Sequence, residues 1–318
     1  MIRIKLSLKD KKDIEKLFIE DMGSQETGIF KNLELPDNKE FLASRIQFKK
    51  LYAYLYYKDD TINVENIKAL LLADKQQLEV FISEFGCFSE KDSEVLRDNI
   101  FRYETFSSRK CAYDILRIEK VAVCPYCNRQ YIVTLDNKKV RPQFDHYFPK
   151  SKYPYLAISI YNLIPSCGIC NQAKSKIDTY ETPILYPFEE EFGDETRFRM
   201  DSDDIKYLRG MTDEFKLFIE NGDANEDKVK KIEKQREILH LDELYDKHKD
   251  YVRDIAWNHY INSKERINEI MREFPELFAS EEDVIATIYM NDIREENLGK
   301  RPLSKLTRDI YKELSITK

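Results

Sequence analysis

Apolar side chains recur at helical spacing in the first third of the chain. Two series show the pattern: Leu42, Ile46, Leu51 and Leu55, then Ile67, Leu71, Leu78 and Phe81. Because residues three or four positions apart lie on the same face of an α-helix, each series would give a helix one buried face. The spacing therefore predicts helices over residues 1–120.

A similar pattern returns in the last third of the chain. Asp242 is a suitable N-cap for a helix that begins near Glu243, because its carboxylate can accept a hydrogen bond from the first turn. The apolar positions that would form the buried face of this helix are Leu244, Val252, Ile255 and Ile261. Glycine is scarce, at 8 residues, and Lys, Glu, Leu and Ile are abundant in both flanks. Residues 191–318 are therefore predicted to be helical as well.

The helical pattern stops in the centre of the chain, where Pro, Gly, Cys, Asn and aromatic residues are concentrated. Tyr131–Leu135 has the composition of a strand, Asp136-Asn137 that of a turn, and Val140–Phe144 that of a returning strand. Gly168–Ser175 predicts a short helix. The centre is thus expected to be a small module of mixed structure.

Composition sets the class of protein. Hydrophobic residues make up 42% of the 318 residues and charged residues 35%, which indicates a globular chain. No apolar run approaches the roughly 18 residues of a membrane span, and the first eight residues lack the apolar core of a signal peptide. We expect a cytoplasmic, mainly α protein, with helical flanks at 1–120 and 191–318 around a small central module at 121–190.

The charge is acidic overall but uneven. A net charge of −7 argues against a protein that binds nucleic acid through a broad basic surface. A local basic cluster nevertheless surrounds residues 145–146, and an acidic run follows the centre. The cluster contains Lys138, Lys139, Arg141, Lys150 and Lys152, and the run contains Glu189, Glu190, Glu191, Asp194 and Glu195. Nucleic-acid binding would therefore depend on a local patch, or on a partner that supplies positive charge.

Four of the six cysteines form two C-x₂-C pairs, Cys124 with Cys127 and Cys167 with Cys170. Two such pairs can place four thiolates around one tetrahedral Zn²⁺, and a reducing compartment favours metal over disulfides. The alternative is a dithiol redox pair or a set of unrelated core thiols. The remaining Cys87 and Cys111 are expected to be inert, buried thiols.

Asp145 and His146 lie between the two cysteine pairs. A neutral imidazole can take a proton from water near pH 7, and a neighbouring carboxylate can hold Mg²⁺ against a phosphate oxygen. Adjacent strand residues point to opposite faces, so these two side chains can cooperate only if the strand ends or bends there, which Pro149 permits. A surface histidine beside a solvated aspartate is the alternative for such a dipeptide taken alone.

Amide side chains flank the second cysteine pair. Asn162 can tie a loop together through backbone hydrogen bonds, and Asn171 offers a carbonyl oxygen to a metal ion. Lys174 lies three residues further on, on the same helical face, where its ammonium group could meet a phosphate. Simple loop capping by the two asparagines is the alternative, and the combined order of these residues with the cysteines and Asp145-His146 argues against it.

Residues 124–176, about a sixth of the chain, resemble an HNH endonuclease of the ββα-metal class in its four-cysteine zinc form. The resemblance implies His146 as the general base and Asn162 as the residue that organises the catalytic loop. It implies Asp145 and Asn171 as ligands of a catalytic divalent ion, Mg²⁺ or Mn²⁺, and the four paired cysteines as ligands of a structural Zn²⁺. Asn171 stands where many members of this class have a histidine.

The segment after the motif, Thr182–Phe188, is similar to the corresponding segment in bacterial HNH proteins of anti-phage systems such as Septu. In such systems the nuclease often works beside an ATPase. The resemblance therefore implies a DNA-hydrolysing defence nuclease with an ATPase partner, in which Lys150, Lys152 and Lys174 are candidates for contacts with nucleic acid.

Three other functions stay open from the sequence. The first is a non-catalytic, zinc-dependent adaptor that binds nucleic acid or protein; such a binder would not need Asp145 and His146 together with Asn162 and Asn171. The second is a thiol redox protein, which a measurement of bound zinc would separate. The third is an HNH nuclease that cuts RNA instead of DNA.

Overall fold

The structure is a computed structural model that describes residues 1–23, 28–135 and 140–316. The chain forms two compact units, each built from segments that are separate in sequence. The ββα unit consists of Ile4–Lys120 and Val133–Pro183, and the hairpin unit consists of Met1–Arg3, Val121–Ile132 and Ile184–Lys318. The division of the chain at residues 120 and 190 stays a prediction.

Helices build most of the ββα unit before the cysteine motifs. They are α1 (Leu8–Met22), α2 (Ile29–Glu34), α3 (Pro36–Ala43), α4 (Lys49–Leu55), α5 (Val64–Leu71), α6 (Lys75–Phe85), α7 (Glu90–Val95), α8 (Tyr103–Ser107) and α9 (Lys110–Glu119). A π-helical segment, Leu96–Phe101, joins α7 to α8. Capping boxes begin α1 at Ser7 and α6 at Asp74, where each cap exchanges hydrogen bonds with the third helical residue.

The apolar series of the first third identified the core, with one exception. Leu42, Leu51 and Leu55 are buried, as are all four residues of the second series. Ile46 is 88% exposed, because α3 ends at Ala43 and a 3₁₀ turn, Ile46–Phe48, follows. In this turn Phe48 is the buried residue instead of Ile46. The predicted helices are therefore present but shorter than the two apolar series suggest.

The small sheet of the ββα unit pairs β1 (Gln143–His146) with β2 (Leu163–Ser166) in antiparallel register, so that Asp145 lies opposite Ile164. Helix α10 (Gly168–Lys174) follows directly. The predicted hairpin partner of β1 was wrong. Tyr131 makes an isolated bridge with Val123, and Leu135 N–H donates one hydrogen bond of 3.0 Å to the Val140 carbonyl, but β1 begins only at Gln143 and pairs with β2. Ile132 is buried, whereas Val133 and Leu135 are about half exposed, so the segment lacks the continuous apolar face of a strand. The predicted turn at Asp136-Asn137, together with Lys138 and Lys139, lies outside the described residues.

The hairpin unit contains an antiparallel pair, β3 (Thr196–Asp201) and β4 (Lys216–Asn221), which the sequence analysis missed. Alternate residues of both strands, such as Phe198 and Ile219, are buried. The helices are α11 (Glu226–Ile238), α12 (Leu241–Asp246), α13 (Lys249–Ile261), α14 (Lys264–Glu273), α15 (Glu281–Ile288) and α16 (Ser304–Ile316). Asp309 and Glu313 of α16 accept hydrogen bonds from the backbone N–H groups of Phe198 and Met200, which covers the outer edge of the hairpin.

The helix predicted to begin near Glu243 is two helices. Helix α12 begins at Leu241, so Asp242 lies in its first turn and is not its N-cap. A new helix, α13, carries the buried Val252 and Ile255, whereas Ile261 at its end is 53% exposed. The chain is mainly α, as predicted, with little strand. In the part of the chain that the structure describes, every helix is too short or too polar to cross a membrane.

Candidate nuclease site

His146 is the last residue of β1, and its ring is buried. Nε2 lies 3.0 Å from the carbonyl oxygen of Ala157. A carbonyl oxygen only accepts hydrogen bonds, so Nε2 must carry a proton and donate it to Ala157. In the neutral ring Nδ1 then has its lone pair available. This is the tautomer that can accept a proton from a water molecule.

The surroundings of His146 keep the ring neutral. Burial lowers the pKa of His146 well below its ordinary value of 6.5, and the nearby cations Lys150, Lys174 and Arg97 lower this pKa further. The hydrogen bond to Ala157 acts in the opposite direction, but it does not outweigh burial. At neutral pH the imidazole is therefore in the form a general base requires.

Tyr103 of α8 fixes one side of the His146 ring. The two ring centroids are 4.4 Å apart and the planes cross at 70°, an edge-to-face contact. The Tyr103 hydroxyl donates a hydrogen bond to the carbonyl of Phe144, and Lys150 Nζ lies 4.0 Å from the Tyr103 ring centroid. A helix far from the cysteine motifs in sequence thus contributes to the setting of the histidine.

Asn162 organises the loop between β1 and β2. Its side chain is fully buried, and its Oδ1 accepts a hydrogen bond of 2.8 Å from the backbone N–H of Phe148. Its Nδ2 donates to the carbonyls of Phe148 and Leu156, at 3.1 and 3.0 Å. The 3₁₀ turn at Pro154–Leu156 leads directly to Ala157, so these bonds hold the chain that positions the carbonyl acceptor of His146.

Asp145 and Asn171 both line one cleft with His146. The Asp145 carboxylate is 2% exposed, and the buried ammonium of Lys174 lies 3.2 Å from its Oδ2. Asn171 in α10 donates from Nδ2 to Gln143 Oε1 at 2.8 Å, which holds the amide at the cleft. A carboxylate and an amide carbonyl oxygen are hard oxygen donors, the set that suits Mg²⁺ or Mn²⁺.

The cleft has a volume of about 470 Å³. Its basic residues come from three parts of the chain: Arg97 from the π-helical segment, Arg141 just before β1, and Lys150 and Lys176 after it. Arg97 and Tyr103 carry no local sequence feature that marks them, and the sequence analysis missed them for this reason. Only the packing of the N-terminal helices against the ββα module brings them to the cleft.

The three lysines predicted to contact nucleic acid lie in different settings. Lys150 lines the cleft and pairs with Glu104 at 2.8 Å. Lys152 pairs with Asp178 at 3.0 Å and is not among the described residues that line the cleft. Lys174 is fully buried, so its ammonium faces Asp145 and is shielded from a ligand in solvent.

The two C-x₂-C pairs form one buried cluster. The sulfur atoms of Cys124, Cys127, Cys167 and Cys170 all lie within 4.8 Å of one another. Around a tetrahedral zinc with bonds of about 2.3 Å, sulfurs are separated by roughly 3.8 Å. The four sulfurs are therefore close enough to bind one structural zinc ion.

The backbone beside each cysteine pair supplies donors to sulfur. The N–H of Arg129 donates to Cys127 Sγ at 3.4 Å, and the N–H of Cys170 donates to Cys167 Sγ at 3.5 Å. The first turn is possible because Asn128 has a positive φ of 51°, a conformation that asparagine tolerates better than most residues. Donors of this kind stabilise thiolates, the form in which cysteine binds metal.

Comparison with known proteins gives one short similarity. The chain is 36% identical over 64 residues to the Septu protein PtuB of Bacillus thuringiensis. The aligned segment covers 20% of this chain and 23% of that protein, well under two thirds of either. No protein-family model matches the chain, and no solved structure matches it.

Proposed function

We propose that this chain is a metal-dependent HNH endonuclease that hydrolyses phosphodiester bonds in DNA. One observation carries the proposal: His146 is held by Ala157 in the tautomer of a general base, in the same cleft as the oxygen donors Asp145 and Asn171. The ββα arrangement of β1, β2 and α10 presents all three side chains. A zinc-dependent adaptor would need neither a neutral buried histidine nor a cleft.

In this mechanism Nδ1 of His146 takes the proton of the attacking water, and the Nε2–H bond to Ala157 keeps the ring in place while charge develops on it. Asp145 and Asn171 would hold the divalent ion, which when bound neutralises charge on the phosphate and the leaving oxygen. The edge-to-face contact with Tyr103 limits rotation of the ring. Burial keeps the base neutral before each turnover.

Phosphate binding in this proposal falls to the cationic residues that line the cleft, Arg97, Arg141, Lys150 and Lys176. They replace Lys152 and Lys174 of the sequence prediction, since one lies outside the cleft and the other is buried. Arginine offers planar, paired donors that suit a phosphate. Four cations in one cleft of an acidic protein are what local binding of a polyanion requires.

We propose a structural role for zinc and a defence role for the protein. The four buried sulfurs support one Zn²⁺ that stabilises the fold, with no part in hydrolysis. The similarity to Septu protein PtuB supports an anti-phage function. The ATPase partner is proposed from the sequence resemblance to HNH proteins of such systems. A non-catalytic adaptor in the same system is the alternative role.

The experiment is a cleavage assay with the purified full chain, with plasmid DNA and structured RNA as substrates and Mg²⁺ or Mn²⁺ as the ion, in the presence and absence of any ATPase encoded beside its gene. His146→Ala should lower the rate by about 100-fold or more, the usual contribution of a general base. His240→Ala is the matched control, because His240 is an exposed histidine just before α12 whose Nδ1 lies 3.6 Å from Glu243.

Each outcome decides a separate statement. Equal rates for His146→Ala and the wild type would overturn the assignment of the base. Cleavage of RNA alone would change the substrate and keep the chemistry. Retained binding of zinc and nucleic acid with no hydrolysis under any of these conditions would favour the adaptor.

A further inference from the structure

Lys174 has an unusual position for a lysine, because it is buried beside a residue that lines the cleft. Its side chain is fully buried at the end of α10. Its Nζ donates to Asp145 Oδ1 at 3.3 Å and to the backbone carbonyl of His146 at 2.6 Å, and it lies 3.2 Å from Asp145 Oδ2. Two of the ammonium donors are thus used on Asp145 and the backbone of His146, and the ion pair involves both oxygens of the carboxylate. The lysine is therefore fixed on the candidate metal ligand.

This contact changes the charge that a metal ion would meet. Asp145 already has a cation beside it, and both groups are shielded from water, where charges interact more strongly than at the surface. Four further cations line the cleft, Arg97, Arg141, Lys150 and Lys176. Three carboxylates pair with them, Asp98 with Arg97, Glu104 with Lys150 and Glu90 with Lys176, so the cations, with Lys174, still outnumber these carboxylates and Asp145. An isolated divalent cation that approaches Asp145 is thus repelled by Lys174 and by the cleft.

A bound phosphodiester would offset the positive charge that repels the metal ion. Each phosphate brings one negative charge to a cleft with surplus positive charge, and it supplies oxygen ligands of its own. Mg²⁺ is usually held by one or two carboxylates together with substrate phosphates, so the protein need not bind the ion by itself. The same ligands that are too weak alone become sufficient once the phosphate is present.

We propose that Lys174 acts as a resident counter-cation of Asp145, which keeps the catalytic ion weakly bound in the free protein and makes ion and phosphodiester bind together. The proposal rests on the proposed function, because it assumes that Asp145 is a ligand of the ion. Lys174 would thereby keep the catalytic ion from binding to the protein when no DNA is present. Lys174 is a positioning residue in this scheme, since it acts through Asp145.

The first experiment measures binding of Mn²⁺ alone, by electron paramagnetic resonance of the free ion, to full-length wild type, Lys174→Met and Lys152→Met. Lys174→Met should bind Mn²⁺ about tenfold more tightly or better, because a buried like charge is removed beside the ligand. Lys152→Met is the matched control: the same charge is lost at a residue that pairs with Asp178 and is not among the described residues that line the cleft, so its Mn²⁺ affinity should stay close to wild type. An affinity of Lys174→Met equal to or weaker than wild type overturns the proposal.

The second experiment does not depend on the folding of the Lys174 variant. His146→Ala protein, which cannot consume the substrate, is titrated with Mn²⁺ in the presence and absence of a short DNA duplex. The duplex should raise the Mn²⁺ affinity about tenfold or more, which is the coupling between ion and phosphodiester that the proposal requires. Equal affinity with and without DNA overturns it.

The outcomes separate this inference from the proposed function. A wild-type protein that binds Mn²⁺ tightly without DNA and cleaves DNA would overturn the role of Lys174 and leave the nuclease intact. A protein that binds no Mn²⁺ even with DNA would overturn both. Loss of Mn²⁺ binding in Asp145→Asn, with zinc content unchanged, would confirm that the measured ion is the one at this site.

Discussion

The imidazole Nε2 of His146 donates a hydrogen bond of 3.0 Å to the carbonyl oxygen of Ala157. Ala157 belongs to a loop that the side chain of Asn162 holds in place. This bond fixes the tautomer, and so it decides which ring nitrogen is available to a water molecule. The loop that supplies the carbonyl and the strand that carries the histidine are tied together by one buried amide. Catalysis in the proposed scheme therefore depends on backbone geometry as much as on the histidine itself.

The pH dependence of cleavage should reflect the lowered pKa of His146. A general base works when unprotonated, so activity should fall only as the pH drops through a pKa that lies below 6.5, and it should be flat across neutral pH. Opening the ring to water in Tyr103→Ala should raise this pKa and move the acidic limb to higher pH. Tyr103→Phe keeps the ring contact, so its activity should fall at the same acidic pH as that of the wild type. Profiles of kcat/KM against pH measure this; an unmoved limb in Tyr103→Ala would contradict the role of the ring.

Asn162→Ala should destabilise the protein by about 3 kcal/mol. The change leaves the N–H and carbonyl of Phe148 and the carbonyl of Leu156 without their buried partner, and unsatisfied buried groups cost about 1–3 kcal/mol each. Asn225→Ala, which removes an exposed N-cap of α11, should cost about 1 kcal/mol. Urea unfolding measures both. Similar losses for the two variants would show that Asn162 is not a special link in the loop.

Zinc should be present at one ion per chain and should require the paired cysteines. Cys124→Ser or Cys170→Ser should lose zinc and give poorly folded protein, because structural zinc contributes directly to folding. Cys87→Ser is the control, since Cys87 lies outside the cluster and is exposed; the prediction that it is buried was wrong, whereas Cys111 is buried as predicted. Elemental analysis of protein purified without chelator tests this. Well-folded wild-type protein without zinc would contradict the prediction.

Arg97 should matter for DNA binding although it lies outside the central segment, residues 124–176, in sequence. Arg97→Gln should weaken binding of a DNA duplex regardless of its sequence and reduce the salt dependence of log K by about one phosphate contact. Lys152→Gln should have little effect, because Lys152 pairs with Asp178 outside the lining of the cleft. Fluorescence anisotropy over a range of salt concentrations distinguishes the two. If Lys152→Gln weakened DNA binding more than Arg97→Gln, Lys152 would be the phosphate contact, as the sequence predicted.

The isolated chain should bind DNA weakly and with strong salt sensitivity. Its net charge is −7, so long-range forces oppose DNA and only the local cations favour it. Part of the acidic run after the centre is neutralised within the hairpin unit, since Glu190 pairs with Lys231 and Asp194 with Arg308. Addition of an ATPase encoded beside the gene should raise the cleavage rate. Rapid cleavage of plasmid by the lone chain at physiological salt would remove the need for a partner.

The sequence by itself determined the mainly helical character of the chain and marked the location of the candidate site. Periodic apolar residues predict helices because the 3.6-residue repeat is local, and the cysteine pairs with Asp145-His146 mark the centre because these residue types have few other uses in such an order. Asn162 was likewise predicted as a loop organiser from its residue type and place. Boundaries were less predictable: Ile46 fits the apolar series yet is exposed, because a turn breaks the helix there.

Only the tertiary structure decided the strand partner of β1, the hairpin β3–β4 and the lining of the cleft. Strand pairing and cleft walls join residues that are distant in sequence, and no local propensity encodes such contacts. Arg97 and Tyr103 reach the site through helix packing, and Lys174 is a buried partner of Asp145 and not a surface contact. The sequence thus named the reactive groups, whereas long-range packing set which atoms of those groups can act.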